Sequence, residues 1–278
     1  MPKKDEKSAL KKAKSNYDDR IIAFVDIMGF QDMVDESVNN PDQYAKIKDA
    51  LHTFKNLKKD KADPLYRKDI KVTTFSDSLV ISYPADYNGG LFWIILDLIY
   101  LQLIFSRLGV IIRGGIAIGK LRHTREEIFG PAMNEAYWLE SKKAIYPRIV
   151  IEEETINAGL VRTYDKSFPI EYSLECEKED VKSLLKQDDD GFFFLDFLRQ
   201  YDEFPYPEDY YQMLAAIGNV IQQGKILAIS KPNLSEKYDW LERYFDSVVA
   251  EIKTVDEFSD SNILSAPRAT ADSTDVTS

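Results

Sequence analysis

The sequence predicts an α/β fold, more closely an α+β sandwich in which helices cover a mixed β-sheet. Between residues 20 and 152, apolar and β-branched runs alternate with segments whose apolar residues recur at helical spacing. Their order is strand, helix, hairpin, helix, strand, helix, strand, which is typical of helices packed on a sheet. A chain of 278 residues with 44% hydrophobic content is large enough for a substantial core.

The first predicted strand covers residues 20–27, where five consecutive apolar residues lead into Asp26. A continuous apolar run is typical of a strand that is buried on both faces. From Gly29 to about Lys59 the apolar residues recur at helical spacing, and an Asn-Asn-Pro-Asp stretch at 39–42 interrupts them. We therefore expect two helices joined by a turn.

A β-hairpin is predicted next. Residues 69–75 and 79–83 are rich in β-branched and apolar side chains, and the turn-prone tripeptide Ser-Asp-Ser at 76–78 lies between them. A second carboxylate, that of Asp77, therefore lies at the tip of the hairpin.

The most apolar segment, residues 91–107, predicts a helix that ends at Gly109. It is shorter than the roughly 20 residues that span a bilayer, and it contains Asp97 and Gln102. We interpret it as a helix that is buried in the core or at a subunit interface.

Residues 110–118 predict another strand, with an Arg-Gly-Gly sequence at 113–115 inside it. Glycines within a strand indicate the close approach of another backbone or of a ligand. The segments that follow are a charged loop at 120–127, a helix at 130–144 and a strand at 148–151.

The expected domain organisation has four parts. They are a charged N-terminal extension (1–19), the core just described (20–152), a C-terminal elaboration packed on that core (153–261) and a disordered tail (262–278) that is rich in Ser, Thr and Asp. The elaboration contains an acidic loop at 188–191 before an aromatic run, and two predicted helices at 208–223 and 238–252.

Composition restricts the functional classes. A formal net charge of -11 argues against nucleic-acid and membrane-surface partners, because both are anionic. Cys176 is the single cysteine, which excludes an intrachain disulfide and a cysteine-built metal site. No signal-peptide pattern accompanies the N-terminal lysines, and we expect a cytoplasmic protein.

The candidate site joins Asp26 and Asp77. If the first strand pairs with the hairpin, the two carboxylates converge at one edge of the sheet, where they repel each other unless a divalent cation lies between them. Ligand sets built only from oxygen favour Mg²⁺ or Mn²⁺ over zinc. Gly29 permits a tight turn at the start of the next helix, whose N-terminus attracts phosphate. Taken alone, however, an aspartate at the end of a strand is most often a cap or turn residue.

Four motifs, in their order and spacing, resemble those of the class III nucleotidyl cyclases over about residues 20–152. They are Asp26-Ile27-Met28-Gly29-Phe30, Phe75-Ser76-Asp77-Ser78, Arg113-Gly114-Gly115-Ile116-Ala117-Ile118-Gly119 and Gly130-Pro131-Ala132-Met133-Asn134-Glu135-Ala136. The resemblance implies a ferredoxin-like class III cyclase fold and a head-to-tail homodimer with composite sites between the subunits. It also implies a reaction in which the 3′-hydroxyl of a nucleoside triphosphate attacks its own α-phosphate and releases pyrophosphate.

The resemblance assigns roles to individual residues. Asp26 and Asp77 would hold two divalent cations, Mn²⁺ or Mg²⁺, with the backbone carbonyl of Ile27 as an additional ligand. The backbone amides of Met28, Gly29 and Phe30 would bind the β- and γ-phosphates.

Two positions depart from the purine cyclases. Thr73 stands where those enzymes carry a base-reading Lys or Glu, four residues before the hairpin aspartate. In their Asn-x-x-x-Arg pair, Asn134 is present, but Trp138 replaces the arginine that stabilises the transition state. Another cation is then needed, and the candidates are Arg113, Lys120 and Arg122.

A further pattern is similar to the pyrimidine cyclases of the bacterial Pycsar anti-phage systems. It consists of Gly130-Pro131-Ala132, Glu135-Ala136-Tyr137, Leu139-Glu140 and Pro147-Arg148-Ile149-Val150. That resemblance implies production of cyclic UMP or cyclic CMP, which activates a separate effector protein. Two alternatives are a purine cyclase with replaced base readers and a degenerate cyclase-fold module that binds nucleotide without chemistry.

Simpler structural roles remain open for several candidates. Arg113 could pair only with a core carboxylate, and Asn134 could bond backbone within its own helix. Glu127 either reads a base or lies in a solvated loop. His123 is a candidate phosphate contact in the loop near the site, whereas His52 is expected on a helix surface.

Overall fold

The computed structural model describes residues 16–57, 69–87, 89–163 and 174–252. The chain divides into two compact units, Met1–Phe197 and Leu198–Ser278. The predicted C-terminal tail and most of the predicted N-terminal extension lie outside the described residues.

Within the described ranges, the first unit is built on an eight-stranded sheet. Its strands are β1 (Asp18–Ile27), β2 (Lys71–Phe75), β3 (Ser78–Pro84), β4 (Ile112–His123), β5 (Ile128–Phe129), β6 (Ile149–Ile151), β7 (Leu185–Gln187) and β8 (Phe193–Leu195). The order is β2-β3-β1-β4-β6-β8-β7, and β5 pairs with β4 beside this path. The β4–β6 pair is parallel and the other pairs are antiparallel, so the sheet is mixed, as the sequence predicted.

The helices of the first unit are α1 (Phe30–Ser37), α2 (Pro41–Asn56), α3 (Gly90–Arg107), α4 (Pro131–Trp138), α5 (Glu153–Thr163) and α6 (Leu174–Ser183). A π-helical turn, Leu139–Lys143, continues α4. The first four strands with the helices between them form a β-α-β-β-α-β unit whose strand order is 2-3-1-4. This is the ferredoxin-like arrangement, and the predicted α+β sandwich is confirmed.

Strand β1 lies at the centre of this arrangement because it pairs with both β3 and β4. Residues 21–25 have between 0% and 8% of their surface exposed, which explains why the apolar run is continuous rather than alternating. One face of the sheet packs against α4. The cluster on that face consists of Ile22, Phe24, Val80, Ala117, Leu121, Ala132, Ala136, Leu139, Ala144 and Val150.

Helices α2 and α3 begin and end at the expected signals. The Asn40 side chain accepts hydrogen bonds from the amides of Asp42 and Gln43 and so caps α2. Gly109, with φ of 64°, ends α3, where the Val110 amide donates to the Phe105 carbonyl at 2.9 Å.

Helix α3 is the single helix within the described ranges that is long and apolar enough to cross a membrane, and 61% of it is buried. Its Asp97 accepts a hydrogen bond from the hydroxyl of buried Tyr83 on β3, and its Phe105 packs on Phe54 of α2 with ring centroids 4.8 Å apart. The predicted burial of this helix is therefore confirmed.

The sheet extends beyond the predicted core boundary at residue 152. Strand β8 pairs with β6, and the chain divides into its two units only after Phe197. The acidic loop 188–191 is the turn between β7 and β8, and the guanidinium of fully buried Arg148 holds Asp188 and Asp190. These two ion pairs join the β7–β8 hairpin to Arg148, which directly precedes β6.

In the described part of the second unit, the α-helices are α7 (Pro207–Ser230) and α8 (Ser235–Ile252), which are longer than the sequence predicted. Within it the Tyr244 hydroxyl accepts a hydrogen bond from the Leu198 amide, and Arg199 pairs with Glu251 at 2.6 Å.

Candidate active site

Asp26 is the last residue but one of β1, and its neighbours are set by strand register. It lies opposite Ser78 of β3 and opposite Arg113 of β4. The Ser78 hydroxyl donates to its Oδ1 at 3.0 Å, and the guanidinium of Arg113 lies 4.0 Å from its Oδ2. The pairing of the first strand with the hairpin, on which the predicted site depends, is therefore present.

Asp77 is held beside Asp26 by the hairpin turn. Ser76 adopts a positive φ of 47°, and the Asp77 carbonyl accepts a hydrogen bond of 3.2 Å from the Ile27 amide. Burial raises the pKa of Asp26, and the negative charge of Asp77 and a hydrogen bond between the two carboxyl groups raise it further. The hydrogen bond from Ser78 and the positive charge of Arg113 lower this pKa, but they only partly offset the rise. The structure therefore brings the two predicted carboxylates together.

The turn after β1 has the predicted glycine geometry. Gly29 has φ of 75° and immediately precedes α1, and a Cβ built on it meets nothing within 4 Å. The first amides of a helix have no intrahelical partner, which leaves those of Gly29 and Phe30 suitable for an anion. The Met28 amide, in contrast, donates to the Ile111 carbonyl at 2.9 Å, so its predicted phosphate contact competes with an existing bond.

Arg113 is held by the carboxylate of Glu140, a residue to which the sequence analysis gave no role at the site. Its guanidinium lies 2.8 Å from Oε1 of Glu140, which is 3% exposed, and it also donates to the Ala144 carbonyl at 3.4 Å. Burial raises the pKa of Glu140, Arg113 opposes that shift, and the charges of Asp26 and Asp77 add to it. The carboxyl groups of Asp26, Asp77 and Glu140 thus interact with one another, and Arg113 lies near those of Asp26 and Glu140.

Glu140 reaches the site because a glycine lets its helix approach the sheet. A Cβ on Gly115 would lie 2.4 Å from the Leu139 Cβ and 2.7 Å from the Ala136 carbonyl oxygen. The Arg-Gly-Gly motif therefore marks the close approach of a backbone. A signal for Glu140 was present in the sequence, since it follows Ala132 and Ala136 at a four-residue spacing on a small, apolar helix face.

The other two candidate cations lie elsewhere. Lys120 pairs with Asp19 at 2.7 Å, seven residues from Asp26 along β1, which corresponds to roughly 23 Å. Arg122 pairs with Glu127 at 2.6 Å, and both side chains are largely exposed. Of the three candidates, Arg113 is the one that lies at the carboxylates within a single chain.

Thr73 lies on β2 opposite Val80, on the sheet face that carries Asp26 and Ser78. Its hydroxyl is 3.1 Å from Nε2 of His123. His123 is 1% exposed at the end of β4, because this strand continues through residues predicted as a loop. The histidine is therefore part of the core and is not a surface loop residue.

Asn134 is not brought to the carboxylates within one chain. Its side chain and that of Trp138 are exposed on α4, whereas Ala132 and Ala136 of the same helix are buried against the sheet. Among the minor candidates, His52 is exposed on α2 as expected.

The donor chemistry of the site fits a divalent cation. Asp26 and Asp77 offer converging carboxylate oxygens, and their mutual repulsion is the kind that a bound cation relieves. Within the described ranges there is no group of three or more His, Cys, Asp or Glu residues arranged to hold a metal ion. Main-chain oxygens, water and the substrate are the further ligands that a Mg²⁺ site commonly uses.

No family model and no curated protein sequence matches this chain. Among solved structures, the adenylyl cyclase CyaB from P. aeruginosa is 17% identical, covers 64% of this chain and 94% of its own, and has a TM-score of 0.43. A class III adenylyl cyclase-like ATP-binding protein from Pseudomonas aeruginosa is 18% identical, with coverages of 60% and 40% and a TM-score of 0.37. A bacterial light-regulated adenylyl cyclase is 15% identical, with coverages of 51% and 45% and a TM-score of 0.34.

This chain thus spans less than half of the light-regulated cyclase and of the ATP-binding protein. TM-scores between 0.34 and 0.43 describe a partial likeness in fold. The chemistry of the site is therefore inferred from the residues of this chain.

Proposed function

We propose that this chain is a pyrimidine nucleotidyl cyclase that converts UTP or CTP to the 3′,5′-cyclic nucleotide and pyrophosphate. The observation that carries the proposal is the convergence of Asp26, at the end of β1, and Asp77, in the adjoining hairpin turn, directly beside the glycine turn at Gly29. A carboxylate pair next to a turn with available amides suits a metal-bound triphosphate.

In the proposed reaction the 3′-oxygen forms a bond to the α-phosphorus and the bond from that phosphorus to the β-phosphate oxygen breaks. Asp26 and Asp77, with the Ile27 carbonyl, would hold two Mg²⁺ or Mn²⁺ ions, which would activate the 3′-hydroxyl and stabilise the leaving oxygens. The amides of Gly29 and Phe30 orient the triphosphate tail. Arg113 lies near enough to Asp26 to add positive charge beside the α-phosphate.

The exposure of Asn134 and Trp138 supports a site that is completed by a second copy of the chain. In a head-to-tail homodimer, α4 of one subunit would face the carboxylates of the other, and each pair of subunits would form two composite sites. A cytoplasmic enzyme of this kind would supply a second messenger in bacterial antiviral defence and would act through a separate effector.

A degenerate module that binds nucleotide without chemistry is the second candidate. The ion pair between Arg113 and Glu140 favours it, because an arginine held by a buried carboxylate is less available to a developing phosphate charge. A purine cyclase is the third candidate, and it differs from the proposal only in the base.

The test is incubation of the purified chain with each of the four nucleoside triphosphates and Mn²⁺, with the products identified by mass spectrometry. UTP or CTP should be cyclised. Asp26→Asn and Asp77→Asn should each lower turnover by more than about a hundredfold, the range observed when one charge contact to a transition state is removed. Asp49→Asn, on the exposed side of α2, is the matched control and should retain full turnover.

The other possible outcomes either contradict part of the proposal or support a competing candidate. Cyclisation of ATP or GTP alone contradicts the pyrimidine assignment, and wild-type turnover in Asp26→Asn contradicts the metal assignment. Nucleotide binding without any product, in both Mn²⁺ and Mg²⁺, supports the degenerate module.

A further inference from the structure

A chain of buried polar groups leads from the start of β1 to Thr73. The Arg20 guanidinium, 1% exposed, donates from Nε to the Ser82 hydroxyl at 2.8 Å. The same hydroxyl lies 2.8 Å from Nδ1 of His123, and Nε2 of that imidazole lies 3.1 Å from the Thr73 hydroxyl. Ser82 and His123 are 0% and 1% exposed, so these groups bond to one another rather than to bulk water.

The orientation of Arg20 is fixed by further bonds. Its terminal nitrogens donate to the carboxylate of Asp69 at 2.8 Å and to the Ser82 carbonyl at 2.9 Å. A guanidinium has donors and no acceptor, so the Ser82 oxygen must accept from Arg20. This sets the direction of the first hydrogen bond in the chain.

The direction of the remaining two bonds depends on which nitrogen of His123 carries the ring proton. Ser82 has one hydroxyl proton, and Nδ1 of His123 lies close enough to accept it. If Ser82 donates to Nδ1, the neutral imidazole carries its proton on Nε2 and donates it to the Thr73 oxygen. A doubly protonated imidazole would leave the buried Ser82 proton without this acceptor.

The tautomer of His123 decides whether the Thr73 hydroxyl accepts a hydrogen bond from the imidazole or donates one to it. When its oxygen accepts from Nε2, its own hydroxyl proton is directed away from His123 and is available as a donor. Thr73 lies two residues from Phe75, the partner of Ser78 in the hairpin, on the same sheet face as Asp26. Its hydroxyl is therefore on the side of the sheet where the nucleotide would bind.

We propose that Arg20, Ser82 and His123 are positioning residues that make Thr73 a hydrogen-bond donor to the base, which selects a base with a carbonyl acceptor such as O4 of uracil. Cytosine presents a 4-amino donor at that position, which leaves the Thr73 hydroxyl proton without an acceptor on the base. The base contact rests on the proposed function, whereas the tautomer of His123 does not depend on it.

The tautomer is measured directly by ¹⁵N NMR of the imidazole nitrogens. The chain has two histidines, and His52→Gln removes the exposed one and assigns the spectrum. His123 should show a protonated Nε2 and an unprotonated Nδ1. Ser82→Ala, if it folds, should shift the imidazole towards a mixture of tautomers. Protonation of Nδ1 in the wild-type chain overturns the proposal.

The base contact is measured by comparing kcat/KM for UTP and CTP. UTP should be preferred by about tenfold to a hundredfold, the range for one unpaired polar contact. Thr73→Ser should keep this preference and Thr73→Val should lose it. A UTP analogue without the 4-oxygen should react no better than CTP.

A preference for CTP, or an unchanged preference in Thr73→Val, overturns the base contact. Failure to bind or cyclise any nucleotide overturns the proposed function together with the base contact, and the NMR spectrum still decides the direction of the hydrogen-bond chain.

Discussion

The contact between β4 and α4 can be tested by adding a single methyl group at Gly115. Apolar carbon atoms pack at about 3.5–4.0 Å, so a Cβ that lies 2.4 Å from the Leu139 Cβ requires a displacement of about 1 Å or more. The backbone of the helix is also in the way, since the Ala136 oxygen and the Glu140 nitrogen lie 2.7 and 2.9 Å from the same position. Rotation of a side chain cannot relieve this overlap.

We therefore expect Gly115→Ala to destabilise the chain by about 1–3 kcal/mol, the usual cost of overpacking a core. Gly119→Ala is the matched control. It lies in the same strand on the same face, but its Cβ would be 3.6 Å from Ala132, an ordinary contact. Removing a glycine from a strand interior reduces the entropic cost of folding, so this control should be neutral or stabilising by up to about 1 kcal/mol.

The assay is urea unfolding of both variants and the wild type, followed by circular dichroism. Equal unfolding free energies for Gly115→Ala and Gly119→Ala would refute the packing described for α4. Glu140 directly follows Leu139, so a displacement at this contact also moves the carboxylate that holds Arg113. At a temperature where the Gly115→Ala chain remains folded, any cyclase turnover should therefore still be lower than that of the wild type.

Two further predictions concern charge and assembly. The raised pKa of Glu140 means that the folded chain binds this proton more tightly than the unfolded chain, so wild-type stability should fall as pH rises above the ordinary value of 4.5. Glu140→Gln has no proton to lose at this position, so its urea midpoint should rise relative to that of the wild type between pH 4.5 and 7. Parallel dependences of the two midpoints on pH would contradict the raised pKa. In a composite homodimer, inactive Asp26→Asn and Asn134→Ala chains mixed in equal amounts should regain about a quarter of wild-type turnover, because half of the dimers then contain one intact site of two. No recovery after subunit exchange would exclude a site shared in this way.

The elements that sequence predicted well are those whose signals are local. The apolar run before Asp26, the turn-prone residues around Asp77 and the Asn-Pro start of α2 each depend on backbone preferences within a few residues. Strand pairing then brings Asp26 and Asp77 together, because Asp26 lies at the end of β1 and Asp77 directly precedes β3, the strand that pairs with this part of β1. The long apolar helix α3 was recognisable from composition alone.

The features that sequence missed depend on contacts between distant residues. The extent of β4 was set by pairing with β1 as far as Leu121, which turned a charged stretch predicted as a loop into strand and buried His123. The three-residue strands β7 and β8 carry too little periodicity to be assigned, and they are held by pairing with β6 and by Arg148.

Sequence by itself therefore determined the order of the strands and helices, the two carboxylates and the glycine turn, because local propensity and hydrophobic periodicity encode them. Tertiary structure alone decided that Glu140 holds Arg113 and that Thr73 bonds to His123. These partners come from strands and helices far apart in the chain, and their meeting depends on sheet register and on the close approach of α4 at Gly115. A pattern confined to neighbouring residues carries no information about such distances.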